Sequence, residues 1–171
     1  MRARLRVPPR QLRAYSDAYS PSGDPDLSHI TRAARAQGYL TSEQLHEIAR
    51  WKSKRRPDLV LANPPAFVRE ATAFAFNARH EYSRMYTLVM LSGIQYPTAS
   101  VVLHFCVRNN YPILDFRALW SLGIQQPTTY TPQFWVEYTQ LCRSLPRKHG
   151  LTVRQFDRAL WQYSHEHQGD A

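Results

Sequence analysis

The stretch Leu91-Ser92-Gly93-Ile94-Gln95-Tyr96-Pro97-Thr98-Ala99-Ser100 decides how the rest of the chain is read. Before it, residues 81–91 place Met85, Leu88, Val89 and Leu91 on one apolar helical face. Ser92-Gly93 interrupts that face, and Pro97 opens a second helix that is apolar at Ala99, Val101, Val102, Leu103 and Phe105. Two helices joined through a glycine make a hairpin, and the second begins with backbone N–H groups able to take a phosphate. Taken alone, Gly93 reads as a helix C-cap.

Working outward, the same helical grammar recurs. Residues 26–37 form a short predicted helix ended by Gly38. Thr41-Ser-Glu-Gln44 is a capping box ahead of Leu45, Ile48, Ala49 and Trp51. Asn63 is placed to cap a helix with Pro64 and Pro65 in its first turn. On the C-terminal side, Asn109-Asn110-Tyr111-Pro112 closes the hairpin's second helix. A short helix over 115–122 and capped helices from Thr131 and Thr152 complete the chain. No strand pairing, repeat or heptad is visible. The expected class is all-α: a basic arm over 1–26, rich in arginine, proline and serine, and one helical bundle over 27–171.

The 171 residues suffice for one domain with a true core. A formal charge of +9 favours a polyanionic partner. No apolar run reaches the length of a membrane span, and the basic N-terminal stretch lacks the apolar segment of a secretory signal. The two cysteines, Cys106 and Cys142, are too few for a cysteine-only metal site and read as reduced thiols. A monomeric, cytoplasmic protein with DNA as its partner is expected, with no membrane attachment.

Twenty-two residues after Gly93 comes Tyr111-Pro-Ile-Leu-Asp115. Hairpin and aspartate together resemble the helix-hairpin-helix DNA glycosylase superfamily, whose hairpin runs Leu-Pro-Gly-Val-Gly-x-x-x-Ala and is followed by an apolar helix and Pro-Val-Asp. Leu91, Gly93, Ile94 and Ala99 match the hairpin. Pro112, an apolar pair and Asp115 match the aspartate segment, with one extra residue. The likeness covers about residues 80–123. It implies a DNA-glycosylase-like fold, DNA binding through Gly93, Gln95, Tyr96 and Thr98, and catalysis at Asp115. It also implies no obligatory cofactor, and room for one monovalent cation held by hairpin carbonyls. Gln95 replaces the second hairpin glycine. Pro97 stands where bifunctional members carry a Schiff-base lysine, so the resemblance implies the monofunctional reaction, in which water hydrolyses the glycosidic bond.

That chemistry fits a lone carboxylate. Breaking an N-glycosidic bond leaves positive charge on the sugar, which a fixed aspartate stabilises while orienting water. Asp115 also reads as the N-cap of Phe116-Arg-Ala-Leu-Trp120. Arg117, Lys52, Lys54 and Arg55 are candidate phosphate contacts, and Lys52 is a candidate relocated amine for lyase chemistry. Trp51, His104, Trp120 and Trp161 are candidates for a pocket that takes a flipped base. Tyr96 and Gln95 are expected at an exposed tip. Three functions follow: excision of a damaged or hypermodified base, in repair or antiviral defence; a non-catalytic DNA-binding module; and a nucleoside hydrolase, which the positive charge disfavours.

Overall fold

Four helices start on side chains that the sequence marks as caps. Thr41 and Thr152 each accept the backbone N–H three residues on, and Gln44 and Gln155 each reach back to the cap's own N–H, so both capping boxes close. Thr131 accepts Phe134 N–H at 3.1 Å, and Asp115 accepts Arg117 N–H at 2.9 Å. The computed structural model describes residues 1–20, 26–53, 55–107 and 110–169. In chain order its α-helices are α1 (Leu12–Ala18), α2 (Ser28–Gln37), α3 (Ser42–Lys52), α4 (Pro65–Asn77), α5 (Glu81–Val89), α6 (Tyr96–Val102), α7 (Phe116–Ser121), α8 (Pro132–Ser144) and α9 (Val153–His167). Short 3-10 turns occupy Pro9–Gln11, Pro57–Ala62 and Pro146–His149, and a π-helical turn, Leu103–Val107, continues α6. No strand forms among the described residues, so the class is all-α as expected.

The chain groups into two compact units, residues 1–24 with 109–171 and residues 25–108. This differs from the expected arm followed by one bundle. The first unit is built on α9, against which α1, α7 and α8 pack. Phe156, Ala159, Leu160 and Ser164 recur at helical spacing and are fully buried. Residues 1–20 are therefore part of a core rather than an arm: Val7 and Leu12 are sealed, Arg4 N and Arg6 N donate to Leu122 O and Ser121 O at 2.9 and 2.8 Å, and Arg13 donates to Gly150 O at 3.2 Å. The physical reason is that the basic residues of this stretch alternate with apolar ones, so one side faces water while the other is buried.

In the second unit α3 packs on α4 and α6, α4 on α5, and α2 on the π-helical turn. Every residue of α6 except Pro97 is buried, so the helix after the glycine is the unit's central rod. The predicted cap Asn63 does something else. Helix α4 begins after Pro64 with no side-chain cap, while the buried Asn63 amide donates to Val60 O and Ser92 O at 2.8 and 3.0 Å and its Oδ1 accepts Ser92 N–H at 2.8 Å.

Candidate functional site

The segment leading to Asp115 is fixed from behind. Tyr111, Pro112, Ile113 and Leu114 are all buried. The Tyr138 hydroxyl, on α8, donates to Ile113 O at 3.0 Å. On α9, Asp157 Oδ1 accepts Ile113 N–H at 3.3 Å while its Oδ2 accepts Arg154 Nη1–H at 2.7 Å. A backbone held at both its donor and its acceptor has little freedom, so Asp115 leaves the core in one orientation. It is half-buried, with extended backbone (φ −144°, ψ 145°), and caps α7. Its charge reaches Tyr130: burial first, then the Asp115 carboxylate, push the Tyr130 phenol above its ordinary value, against a bond from Gln126. Tyr138 is raised well above its ordinary value, chiefly by burial, with Cys142, Asp157 and Asp115 adding to it. Both phenols are therefore neutral donors at physiological pH. Sequence reasoning singled out none of Tyr130, Tyr138 and Asp157, because a tyrosine before or within a helix and an aspartate within one carry no local signature of what they hold in place.

Other candidates of the first unit lie among rings. The Arg117 guanidinium sits 5.1 Å from the Phe116 ring centre and 5.5 Å from that of Trp161, and its buried Nη1 has no hydrogen-bond partner among the described residues. Trp161 stacks on His165 at 4.9 Å and meets Tyr19 edge-on at 5.4 Å. Trp120 is half-buried, with the Arg6 guanidinium 4.5 Å above its ring and Tyr163 at 6.0 Å.

In the second unit, Gly93 adopts a left-handed φ of +80°. A Cβ there would come within 2.9 Å of Leu59 Cβ and of Val60 N, so close approach of the 3-10 turn demands glycine. Leu91 O accepts Ile94 N–H at 3.0 Å and Ser92 O accepts from Asn63 at 3.0 Å. Gln95 is exposed, as expected, and so is Ser92. Tyr96 and Thr98 are not: they retain 8% and 5% exposure, which corrects the expectation that Tyr96 lies at an exposed tip. The cause is the central position of α6, whose first turn is already inside the core. Trp51 and His104 both meet Phe105 edge-on, at 6.0 and 4.8 Å, and His104 is buried. Lys52 is half-buried and Arg55 exposed, while Lys54 lies outside the described residues. The structure thus places Asp115, Arg117, Trp120 and Trp161 in the first unit, and Gly93, Gln95, Tyr96, Thr98, Trp51, Lys52, Arg55 and His104 in the second.

Among the described residues no helix is long and apolar enough to cross a membrane, and no group of three His, Cys, Asp or Glu side chains is set to hold a metal ion. Both cysteines are buried and unpaired. Burial pushes the Cys106 thiol up to about 12 and raises Cys142 further, so neither is a ready nucleophile. No protein-family model matches the chain, and comparison with curated proteins and with solved structures finds no match.

Proposed function

We propose that the protein binds DNA and hydrolyses the N-glycosidic bond of a damaged or modified nucleotide, with Asp115 as the catalytic carboxylate. The observation that carries this reading is the immobilised Pro112-Ile113-Leu114 segment, which delivers a half-buried carboxylate at a fixed place after a hairpin whose glycine is obligatory. A carboxylate so held stabilises positive charge on a sugar without reorganising. Tyr130 lies within electrostatic reach of this carboxylate, and burial first and that charge second keep its phenol protonated. The net charge of +9 supports a polyanionic substrate.

Asp115→Asn is the decisive variant, because asparagine caps a helix as well as aspartate does. The fold and the cap persist while the negative charge goes. Base release from damaged oligonucleotides or from phage DNA with hypermodified bases is expected to fall by about 10²-fold or more, with DNA affinity retained. Equal base release in both proteins overturns the assignment.

A second reading rests on the cap itself. Asp115 Oδ1 accepts Arg117 N–H, which is a sufficient structural reason for an aspartate at this position. In a non-catalytic DNA-binding module Asp115→Asn changes nothing, and salt-sensitive DNA binding occurs without base release from any substrate.

A further inference from the structure

The first unit carries a concavity of about 370 Å³ lined by Phe116, Leu119, Trp120, Gln125, Gln126 and Gln168, with Arg6 at its edge. A second concavity of about 600 Å³ adjoins it, sharing Arg6 and Gly123 and adding Arg4 and Leu5. The residues that line the two are of three kinds. Trp120 and Phe116 offer ring surface, and Phe116 leaves 42% of its area exposed. Gln125 offers an exposed amide donor and acceptor, while Gln126 also bonds Tyr130 and Gln168 Oε1 accepts from the Ser164 hydroxyl. Arg4 and Arg6, both exposed, offer the only charges: no residue lining either concavity is acidic.

The backbone keeps the two spaces open and joined. Arg4 and Arg6 are strapped to the end of α7 by their own N–H groups. Gly123 lies beneath the strap at φ +64°, and a Cβ there would stand 2.5 Å from Arg4 O. Any larger residue would lift the strap and fill the junction. Meanwhile the Arg6 guanidinium lies 4.5 Å from the centre of the Trp120 ring, which in turn packs against Tyr163. Arg6 is exposed, and bases stack on arginine planes as they do on rings.

We infer that this double concavity is a binding site for a nucleoside 5′-phosphate unit, its base held against Arg6, Trp120 and Phe116 with its edge read by the glutamine amides, and its phosphate taken by Arg4 and Arg6. Ring surface, amides and arginine without carboxylates select a planar, hydrogen-bonding, anionic ligand, and the volume suits a small-molecule site. The unit is either a free mononucleotide or one residue of a single strand, since stacking platforms with cationic edges serve both. The site does not depend on base release at Asp115.

The test is a titration followed at the Trp120 indole N–H by heteronuclear NMR, the resonance being identified by its loss in Trp120→Phe. Adenosine 5′-monophosphate and a short single-stranded deoxyoligonucleotide are expected to shift it, adenosine to shift it more weakly, and inorganic phosphate to leave it unmoved. Arg4→Gln with Arg6→Gln should weaken mononucleotide binding about 10-fold and flatten its salt dependence. Gln125→Ala should narrow the difference in affinity between adenosine and uridine monophosphates. These three side chains are exposed, so the variants are expected to fold. Tighter binding of the oligonucleotide than of the mononucleotide identifies the strand as the source, and equal binding identifies the free nucleotide. An indole resonance unmoved by both phosphorylated ligands at millimolar concentration, or unchanged affinity in the arginine variant, overturns the site.

Discussion

In the second unit Arg84 donates to the carbonyls of Ala75, Phe76 and Ala78, closing the end of α4, and Arg35 donates to Phe105 O at 3.1 Å. In the first unit Arg6, Arg117, Arg143, Arg154 and Arg158 all lie over aromatic rings. The same residue type thus does two jobs. Against carbonyls it supplies the donors that the last turn of a helix lacks, and its charge is committed to the backbone. Over rings its charge is set against aromatic faces, and Arg143 and Arg154 keep a hydrogen bond as well, to Asn110 O and to Asp157. A formal charge summed over the chain does not separate these uses. The apolar surface divides in the opposite sense: Leu59, Leu61, Phe74, Tyr82, Tyr86 and Met90, all in the second unit, are exposed. The first unit presents cations with aromatics, and the second presents aliphatic and aromatic surface around a helical core.

Each unit contains one buried thiol, Cys142 in the first and Cys106 in the second, so thiol labelling in increasing urea reports on each separately. The largest expected effect is that of Gly93→Ala. A left-handed φ and two contacts under 3.0 Å combine there, for a loss of roughly 2–4 kcal/mol. Cys106 should label at lower urea in this variant while Cys142 labels as before. Gly38→Ala, at φ +81° but with nothing within 4 Å, is the matched control at about 1 kcal/mol. If both thiols move together, the two units unfold as one and the comparison fails.

Next comes Asn63→Ala, which leaves Ser92 N–H without its acceptor and should cost about 2 kcal/mol, again read at Cys106. Alkaline pH gives a third test. The folded Cys106 thiol is raised from 9.0 to about 12, so the unfolded chain loses its proton first. Stability is full below pH 9 and is lost as pH rises towards 12. Linkage puts the loss from this one group at about 2 kcal/mol by a pH of about 10.5. The first unit holds two such groups, Tyr138 and Cys142, raised in the same direction by burial. Cys142 should therefore become accessible at lower pH than Cys106, and Cys106→Ala should remove only the second unit's share. The smallest effects belong to the two capping boxes. Thr41→Ala and Thr152→Ala should each cost about 1 kcal/mol, the first advancing labelling of Cys106 and the second that of Cys142.

What could be read from the sequence follows from the range of each interaction. Caps at Thr41, Thr131 and Thr152 are agreements among residues three apart, and all three form where expected. Asp115 as a cap belongs with them. Asn63 shows the limit: next to two prolines it reads as a cap, yet its amide is matched to Ser92, 29 residues away, and no local pattern marks that pairing. The N-terminal stretch is a similar case. Arginine and proline suggest an arm, and only the packing of α1 on α9 shows that Val7 and Leu12 were core all along. Tyr96 is a third. The resemblance places it at a tip, but whether a hairpin helix lies at the surface or in the middle of a unit depends on what else packs on it. The arginines, rings and glutamines around Trp120 come from three separated segments, and nothing in the order of residues brings them together before folding.

The strap of residues 4–6 and the pairing of α1 with α9 also set a schedule. The second unit is an unbroken run of chain and can close as soon as residue 108 is available. The first must wait: its opening helix packs on its closing one, and Arg13 meets Gly150 across 137 positions. During synthesis the second unit therefore emerges whole while the first twenty residues, with Val7 and Leu12 uncovered, stay without a partner until the final helix is made. Once formed, the second unit shortens the effective loop between α1 and α9, because its two ends become a fixed span in place of a flexible chain. The order of emergence thus lets residues 25–108 fold before α1 can meet α9.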